Sequence, residues 1–421
     1  MSPAALAETL RTDAPRRHVL VPGPREGGRE PLARDPSARD ISARDLQRRA
    51  LLRETGRPDA LADVLRRGRG APTNETGRFE RIARETFVEE MPGDEDEPRP
   101  LRTEVIEERP RTIIARNDSP DIGFDRSINP YRGCEHGCFY CFARPTHAYH
   151  GLSAGLDFET RLFAKPNAAE LLERELAAKG YVAKPIALGA NTDPYQPIER
   201  RYRITRGILE VLARRDHPVG IVTKSHLVTR DLDILGPMAE RGLAKVAISL
   251  TTLDPVLARK MEPRAASPAR RLDAIRRLTD EGVPVTVLVA PIIPAINDHE
   301  IERILDAAHA AGAREAGYVL LRLPHELKNL ARDWLIDHYP DRLDRVLSLV
   351  RDTRGGKEYD ATWGARQTGQ GPYAWMIGRR FETAAKRLGL NERRTRLRTD
   401  LFTPPARERR RADADQLSLF A

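Results

Sequence analysis

The sequence predicts an α/β protein built on a partial, TIM-like (β/α)6 barrel, followed by a mainly helical region. Three observations carry that expectation. From about residue 124, short β-branched runs alternate with amphipathic segments, the pattern of βαβ units and a parallel sheet. The strands number six, two short of a closed eight-stranded barrel. All three cysteines fall within eight consecutive positions, at the end of the first of those strands.

Residues 1–110 read as a largely disordered extension. They are rich in Arg, Pro, Gly, Asp and Glu, with few aromatics and no sustained apolar period. Two islands are candidates to order against the main domain: "RGRGAPTNETGRFE" (67–80) and "TIIARNDSPDIGFDRSINPYRG" (112–133).

The barrel is expected over residues 111–330. Its first strand precedes Cys134, and the others are "PIALGANT" (185–192), "PVGIVTK" (218–224), "AKVAISL" (244–250), "PVTVLVAP" (284–291) and "AGYVLLRL" (316–323). Helices are expected in "RITRGILEVLARR", "RDLDILGPMAERG", "SPARRLDAIRRLTDEG" and "DHEIERILDAAHAAG", whose apolar residues recur at three- and four-residue steps. Ser267 before Pro268 marks a helix start, and Gly242 and Gly282 mark helix ends. Residues 331–400 read as helical, broken by the Gly- and aromatic-rich stretch 353–375, and 401–421 as a flexible basic tail.

Net charge is +9, and from Gly378 to Arg411 twelve Arg and Lys face four Asp and Glu. That stretch is either a solvated basic tail or a surface for phosphate backbones. No apolar run is long enough to span a bilayer, and "MSPAALAETLRTDAPRRHVL" lacks the pattern of a secretory signal, so a cytoplasmic location and no membrane partner are expected. In that compartment a tight cysteine group points to metal or redox chemistry rather than to disulfides.

The spacing Cys134-x3-Cys138-x2-Cys141 leaves two readings open. With His136, His147 or His150 it could complete a Cys3His zinc site. Alternatively, three thiolates hold a [4Fe–4S] cluster and leave one iron open to a cosubstrate.

"CEHGCFYC" (134–141), with an aromatic before the last cysteine, resembles the motif of the radical S-adenosylmethionine (SAM) superfamily, whose fold is a six-stranded partial barrel. "NPYRGCEHGCFYCFARPTH", "TDPYQPIE" and "VTKS" resemble the branch containing spore photoproduct lyase and relatives labelled DNA repair photolyases. The resemblance implies that Cys134, Cys138 and Cys141 bind three irons, and that S-adenosyl-L-methionine chelates the fourth through its amine and carboxylate. Tyr140 would touch the adenine. Asn191 and Thr192, in "GANTD", would stand where the family holds the cosubstrate's amino group. Lys224 would meet the carboxylate, Ser249 the ribose, and "PIIPAIND" (291–298) the adenine through backbone groups. The implied chemistry is reductive cleavage to a 5′-deoxyadenosyl radical, with ferredoxin or flavodoxin as external reductant.

That branch implies DNA as substrate, although a radical enzyme acting on a protein, an RNA or a small molecule is the alternative. The lyase also implies a cysteine outside the cluster as hydrogen donor, and this chain has none to spare. Tyr195 and Tyr318, near the expected barrel mouth, are the candidates in its place. Finally, "QLSLF" resembles the peptide by which bacterial proteins bind the β sliding clamp, with Gln416, Leu417, Leu419 and Phe420 as the anchors.

Overall fold

The structure, a computed structural model, describes residues 68–80 and 101–405. Its centre is a seven-stranded sheet made from β2 (Ile114–Arg116), β3 (Arg126–Ile128), β6 (Ile186–Leu188), β7 (Val219–Thr223), β8 (Ala244–Ser249), β9 (Val285–Ile292) and β10 (Glu315–Leu320). The spatial order is β10-β9-β8-β7-β6-β3-β2. The six strands from β3 to β10 in this sheet run parallel, whereas β2 pairs antiparallel to β3 and caps one edge. All six expected barrel strands are therefore present and in chain order.

Along β7, β8 and β9 buried residues alternate with half-buried ones, and the strands are rich in Val, Ile and Ala, as a parallel sheet with helices outside it requires. After α1 (Asp157–Thr160), α2 (Ala168–Leu176) and α3 (Glu199–Tyr202), helices α4 (Ile204–Arg214), α5 (Leu232–Glu240), α7 (Pro268–Asp280) and α8 (Ile301–Ala310) connect consecutive strands. Their apolar stripes join Ile128, Leu188, Ile221, Val246 and Val287 in one core. Gly242 and Gly282 end α5 and α7 in left-handed conformation, with Leu243 and Val283 N–H donating back to Met238 and Leu278 O, as the sequence implied. Ser267 precedes α7 in extended conformation, but its hydroxyl makes no capping bond; the proline alone sets the start.

Two features depart from expectation. A second sheet of β1 (Glu104–Glu107), β5 (Arg161–Ala164) and β4 (Tyr131–Arg132) lies in the order β1-β5-β4. Its first strand belongs to the stretch read as disordered. Composition missed it because β1 is held by backbone pairing to β5 rather than by an apolar face.

The basic C-terminal stretch is also not a free tail in its described part. Arg380 and Arg387, on α11 (Gly371–Arg387), pair with Glu302 and Asp306 of α8, and Arg398 pairs with Asp400. Periodicity concealed the pairs of Arg380 and Arg387 because their partners come from another helix. Residues 406–421, and with them Gln416, Leu417, Leu419 and Phe420, lie outside the described residues.

Helices α9 (Leu327–His338) and α10 (Leu343–Asp352) complete the helical region. The Trp334 ring of α9 stacks on Phe139, with centroids 4.1 Å apart, and its indole N–H donates to Lys260 O at 2.9 Å. A second apolar cluster thus joins these helices to the cysteine segment.

Candidate active site

Cys134, Cys138 and Cys141 occupy the loop leaving β4, beside the carboxyl ends of the parallel strands, where α/β sheets gather ligands. Backbone bonds pin the loop: Cys134 N–H donates to Phe158 O at 2.9 Å, and Phe139 N–H to Met261 O at 3.3 Å. The guanidinium of Arg144, fully buried, donates to Cys138 O at 2.8 Å and to Ala154 and Gly155 O at 3.0 and 2.9 Å. It also pairs with the equally buried Glu159 at 2.5 Å.

Glu159 accepts in addition from Gly70 N–H at 2.9 Å and Ala71 N–H at 2.8 Å. The strap 68–80 is thereby drawn onto the cysteine loop. Contact there is so close that a Cβ on Gly70 would lie 1.7 Å from Gly137 O, so only glycine fits.

The histidines fall elsewhere. His136 Nδ1 lies 3.3 Å from Asp193. His147 contacts Arg161 O and packs edge-on against Phe158, while His150 lies against Phe163. Burial drives the pKa of His147 and of His150 down to about 4.

The strand-end residues are distributed as follows. After β6, Gly189 has φ +90° and a Cβ there would meet Val222 O at 2.2 Å, so the chain turns sharply into "GANTD". Asn191 N–H donates to Asn129 Oδ1 at 3.0 Å, and its side-chain amide reaches Thr146 Oγ1 at 3.4 Å. Thr192 is buried with its hydroxyl donated to Tyr131 O at 2.8 Å, which shapes the loop. Asp193 accepts from Thr223 Oγ1 and Lys224 N–H at 2.7 and 2.8 Å. Although burial opposes its charge, His136 and these donors outweigh it and hold the Asp193 carboxyl at about 2.

Lys224 Nζ stands 5.7 Å from the Tyr140 ring centroid. Burial acts against its charge too, but Cys138 and Glu262 prevail and raise its pKa. Ser249 Oγ donates to Ala290 O at 3.0 Å, bridging the ends of β8 and β9.

The tyrosine candidates are not at the mouth. Tyr195 is fully buried with its phenol on Asp231 at 3.1 Å, among Arg230 and Glu199. Tyr318 packs on Phe381 of α11, on the helix side of β10. Proximity to a strand end in sequence did not distinguish the side of the sheet on which each ring lies.

Residues 128–308 match the model of the radical SAM superfamily. An uncharacterised protein of Mycobacterium tuberculosis is 37% identical over 232 residues, 55% of this chain and 68% of that relative. The chain belongs to the radical SAM superfamily. An uncharacterised protein of Methanocaldococcus jannaschii is 28% identical over 173 residues, 41% of this chain and 62% of its own. A solved spore photoproduct lyase, complexed with dinucleoside spore photoproduct, superposes with a TM-score of 0.51 at 17% identity. It covers 68% of this chain and 80% of its own, a likeness of fold.

A radical SAM enzyme works with a [4Fe–4S] cluster and S-adenosylmethionine, and the donor set fits that cluster. The three thiols form no disulfide. Among the described residues, no three Cys, His, Asp or Glu side chains converge as ligands of a single ion do. A cubane is larger and takes each thiolate on a separate iron. Burial lifts the Cys134 thiol well above its usual range and the Cys138 thiol to about 12. Thiolates in so dry a setting need strong local positive charge, which cluster iron supplies.

Sequence reading missed the hub beneath this loop. Glu262, at the end of α6 (Pro255–Met261), is almost fully buried, and accepts from Tyr140, from Arg271 and from Thr251 Oγ1, the last at 2.6 Å. Arg271 also donates to Ser249 O at 3.0 Å. Burial disfavours the Glu262 charge, but Arg271 and Lys224 overcome it and hold the carboxyl at about 2. The only sequence signal was an acid–base pair nine residues apart, across a proline-containing turn. That is no helical spacing, so it carried no weight.

Proposed function

We propose that this radical SAM enzyme acts on a lesion or modified base in DNA. The observation that carries the reading is its superposition on a lyase complexed with a dinucleoside photoproduct, over a span longer than the superfamily match alone. When bound and reduced, the cluster and S-adenosylmethionine together supply a carbon radical that abstracts hydrogen.

The protein's own contribution is orientation and exclusion of water. Lys224 offers its ammonium to the cosubstrate carboxylate. Asn191, whose N–H groups are engaged by Asn129 and Thr146, turns a carbonyl oxygen to the amino group. Thr192 holds that turn in shape. The Ser249 hydroxyl accepts from the ribose, and the Tyr140 ring, anchored through its phenol to Glu262, lies against the adenine.

All three cysteines are committed to the cluster, and neither Tyr195 nor Tyr318 faces the mouth. The reaction we propose therefore closes with an electron from the external reductant and a proton from solvent, rather than with a hydrogen atom from a protein thiol. An external ferredoxin or flavodoxin supplies the electron, and the terminal Gln416, Leu417, Leu419 and Phe420 deliver the enzyme to the β sliding clamp. Among the described residues no helix is long and apolar enough to cross a membrane.

The test is anaerobic incubation of reconstituted enzyme with cosubstrate, dithionite and either irradiated or undamaged deuterated DNA. The expected result is deuterium in 5′-deoxyadenosine and a matching mass change in the DNA. Cosubstrate cleavage that no DNA accelerates, with deuterium arriving instead from a protein, RNA or small molecule, overturns the reading. For the tail, a synthetic peptide of residues 412–421 should bind purified clamp in competition with a polymerase peptide; absence of binding overturns that part alone.

A further inference from the structure

Several large aromatic side chains are exposed, and three of them carry an arginine. Phe79, Phe142 and Trp363 are each about half exposed, at 55%, 50% and 51%. Arg78 lies over Phe79 at 5.4 Å, Arg322 over Phe142 at 5.7 Å, and Arg366 over Trp363 at 5.8 Å. These rings come from distant parts of the sequence: the strap, the position after the last cluster cysteine, and the stretch after α10.

One segment gathers them. Residues 320–326 leave the carboxyl end of β10 at the barrel mouth. Arg322 belongs to this segment. Arg78 pairs with its Glu326 at 2.5 Å. The Trp363 stretch is bound to it through Leu320 N–H to Gln367 O and Arg354 Nη2 to Leu321 O, both at 2.9 Å. On its far side that stretch is fixed by Gly364 N–H to Asp121 at 2.7 Å and Arg366 to Asp121 at 2.5 Å. The segments carrying Phe79 and Trp363 are therefore bonded to residues 320–326, and Phe142 lies beside Arg322 of that same segment.

Exposed rings that each carry a guanidinium suit an occupant, and the arginines tell which kind. An apolar protein partner would have to strip water from three guanidinium groups. A nucleobase offers a flat π face to ring and guanidinium alike and carries its phosphate beside it. Arg78 and Arg366 already have carboxylate partners, whereas Arg322 forms no ion pair among the described residues and its buried Nε has no hydrogen-bond partner. Arg322 is thus the group left for a phosphate. In a duplex the base faces are hidden, so the platform suits unpaired nucleotides.

We propose that Phe142 and Trp363, with Phe79 already stacked on Tyr149 at 5.4 Å, form a base-stacking platform for single-stranded or locally unpaired DNA at the barrel mouth, with Arg322 as its phosphate contact. This rests on the nucleic-acid reading above and narrows it: the enzyme takes bases out of the helix.

The test is fluorescence anisotropy of labelled oligothymidylate, of an abasic oligonucleotide of equal length, and of a matched duplex. Each is measured across a salt series with anaerobically reconstituted enzyme. The proposal expects oligothymidylate to bind more tightly than the other two. Phe142→Leu and Trp363→Leu should each weaken it by about five- to a hundredfold. Arg322→Gln should reduce the slope of log affinity against log salt by about one. Trp375→Leu, which removes an exposed ring without an arginine, should bind as wild type, and unchanged melting temperatures show that each variant is folded. If oligothymidylate binds but the abasic strand binds equally, or Phe142→Leu and Trp363→Leu match wild type, the platform is wrong while the DNA reading stands. If no DNA binds even at low salt, the DNA reading falls and the platform with it.

Discussion

Arg144→Met is the sharpest probe of how the cluster loop is held. In one substitution the protein loses bonds to Cys138, Ala154 and Gly155 O, and Glu159 keeps its charge without its cation. Both partners of that pair are fully buried. Stranding one member of a buried ion pair costs about 3–5 kcal/mol. Against a total stability on the order of 5–15 kcal/mol, that is a large fraction. Removing both charges strands no charge, so Arg144→Met/Glu159→Gln should cost less than the sum of the single changes, although three carbonyls still lose their donor and the strap N–H groups of Gly70 and Ala71 lose an ionised acceptor. Urea unfolding of cluster-free protein under anaerobic conditions gives the energies. Iron and sulfide content after reconstitution reports whether the loop still presents its thiolates. If Arg144→Met unfolds within about 1 kcal/mol of wild type and loads a full cluster, the loop is not held by this pair and the reasoning fails.

Three further outcomes are expected. Lys224→Met should weaken S-adenosylmethionine binding to cluster-loaded protein roughly ten- to a hundredfold, the value of a charged hydrogen bond; calorimetric titration giving an unchanged Kd removes Lys224 from the cosubstrate site. Gly70→Ala should unseat the strap, seen as faster hydrogen exchange over residues 68–80 and faster bleaching of the cluster in air, whereas Gly123→Ala, where a Cβ meets open space, should change neither. For pH, burial holds His147, His150 and His217 at about 4, so the unfolded chain binds more protons between about 6.5 and 4. Stability is then full above about pH 6.5 and falls on acidification, with a limiting slope of about 4 kcal/mol per pH unit for three histidines. A urea midpoint of cluster-free protein that stays flat over that window contradicts their burial as neutral rings.

Much of the chemistry was legible because it lies in short-range spacing. Three thiols within eight positions can meet one cluster whatever the rest of the chain does. Six β-branched runs separated by amphipathic helices can close their backbone bonds and bury their faces in few ways other than a parallel sheet. Lys224 and Ser249 could be singled out for the same reason, since the end of a predicted strand is a place as well as a position.

Other features become visible only when the chain is folded, because they join residues far apart in sequence through groups with no periodic signature. Backbone N–H groups of Gly70 and Ala71 bind a carboxylate 88–89 residues away, which is why composition read the strap only as a candidate to order. Glu262 reaches Tyr140 across 122 positions. Tyr195 and Tyr318 have the right chemistry at plausible positions, yet packing sets the first, in the turn after β6, on Asp231 and the second, in β10, against Phe381. Arg322 and Phe142, 180 residues apart, meet only because β10 ends beside the cysteine loop. Local spacing was enough to place three thiols in one loop and the parallel strands in chain order. Which side chains face the mouth depends on the curvature and twist of the assembled sheet, a property of all its strands together.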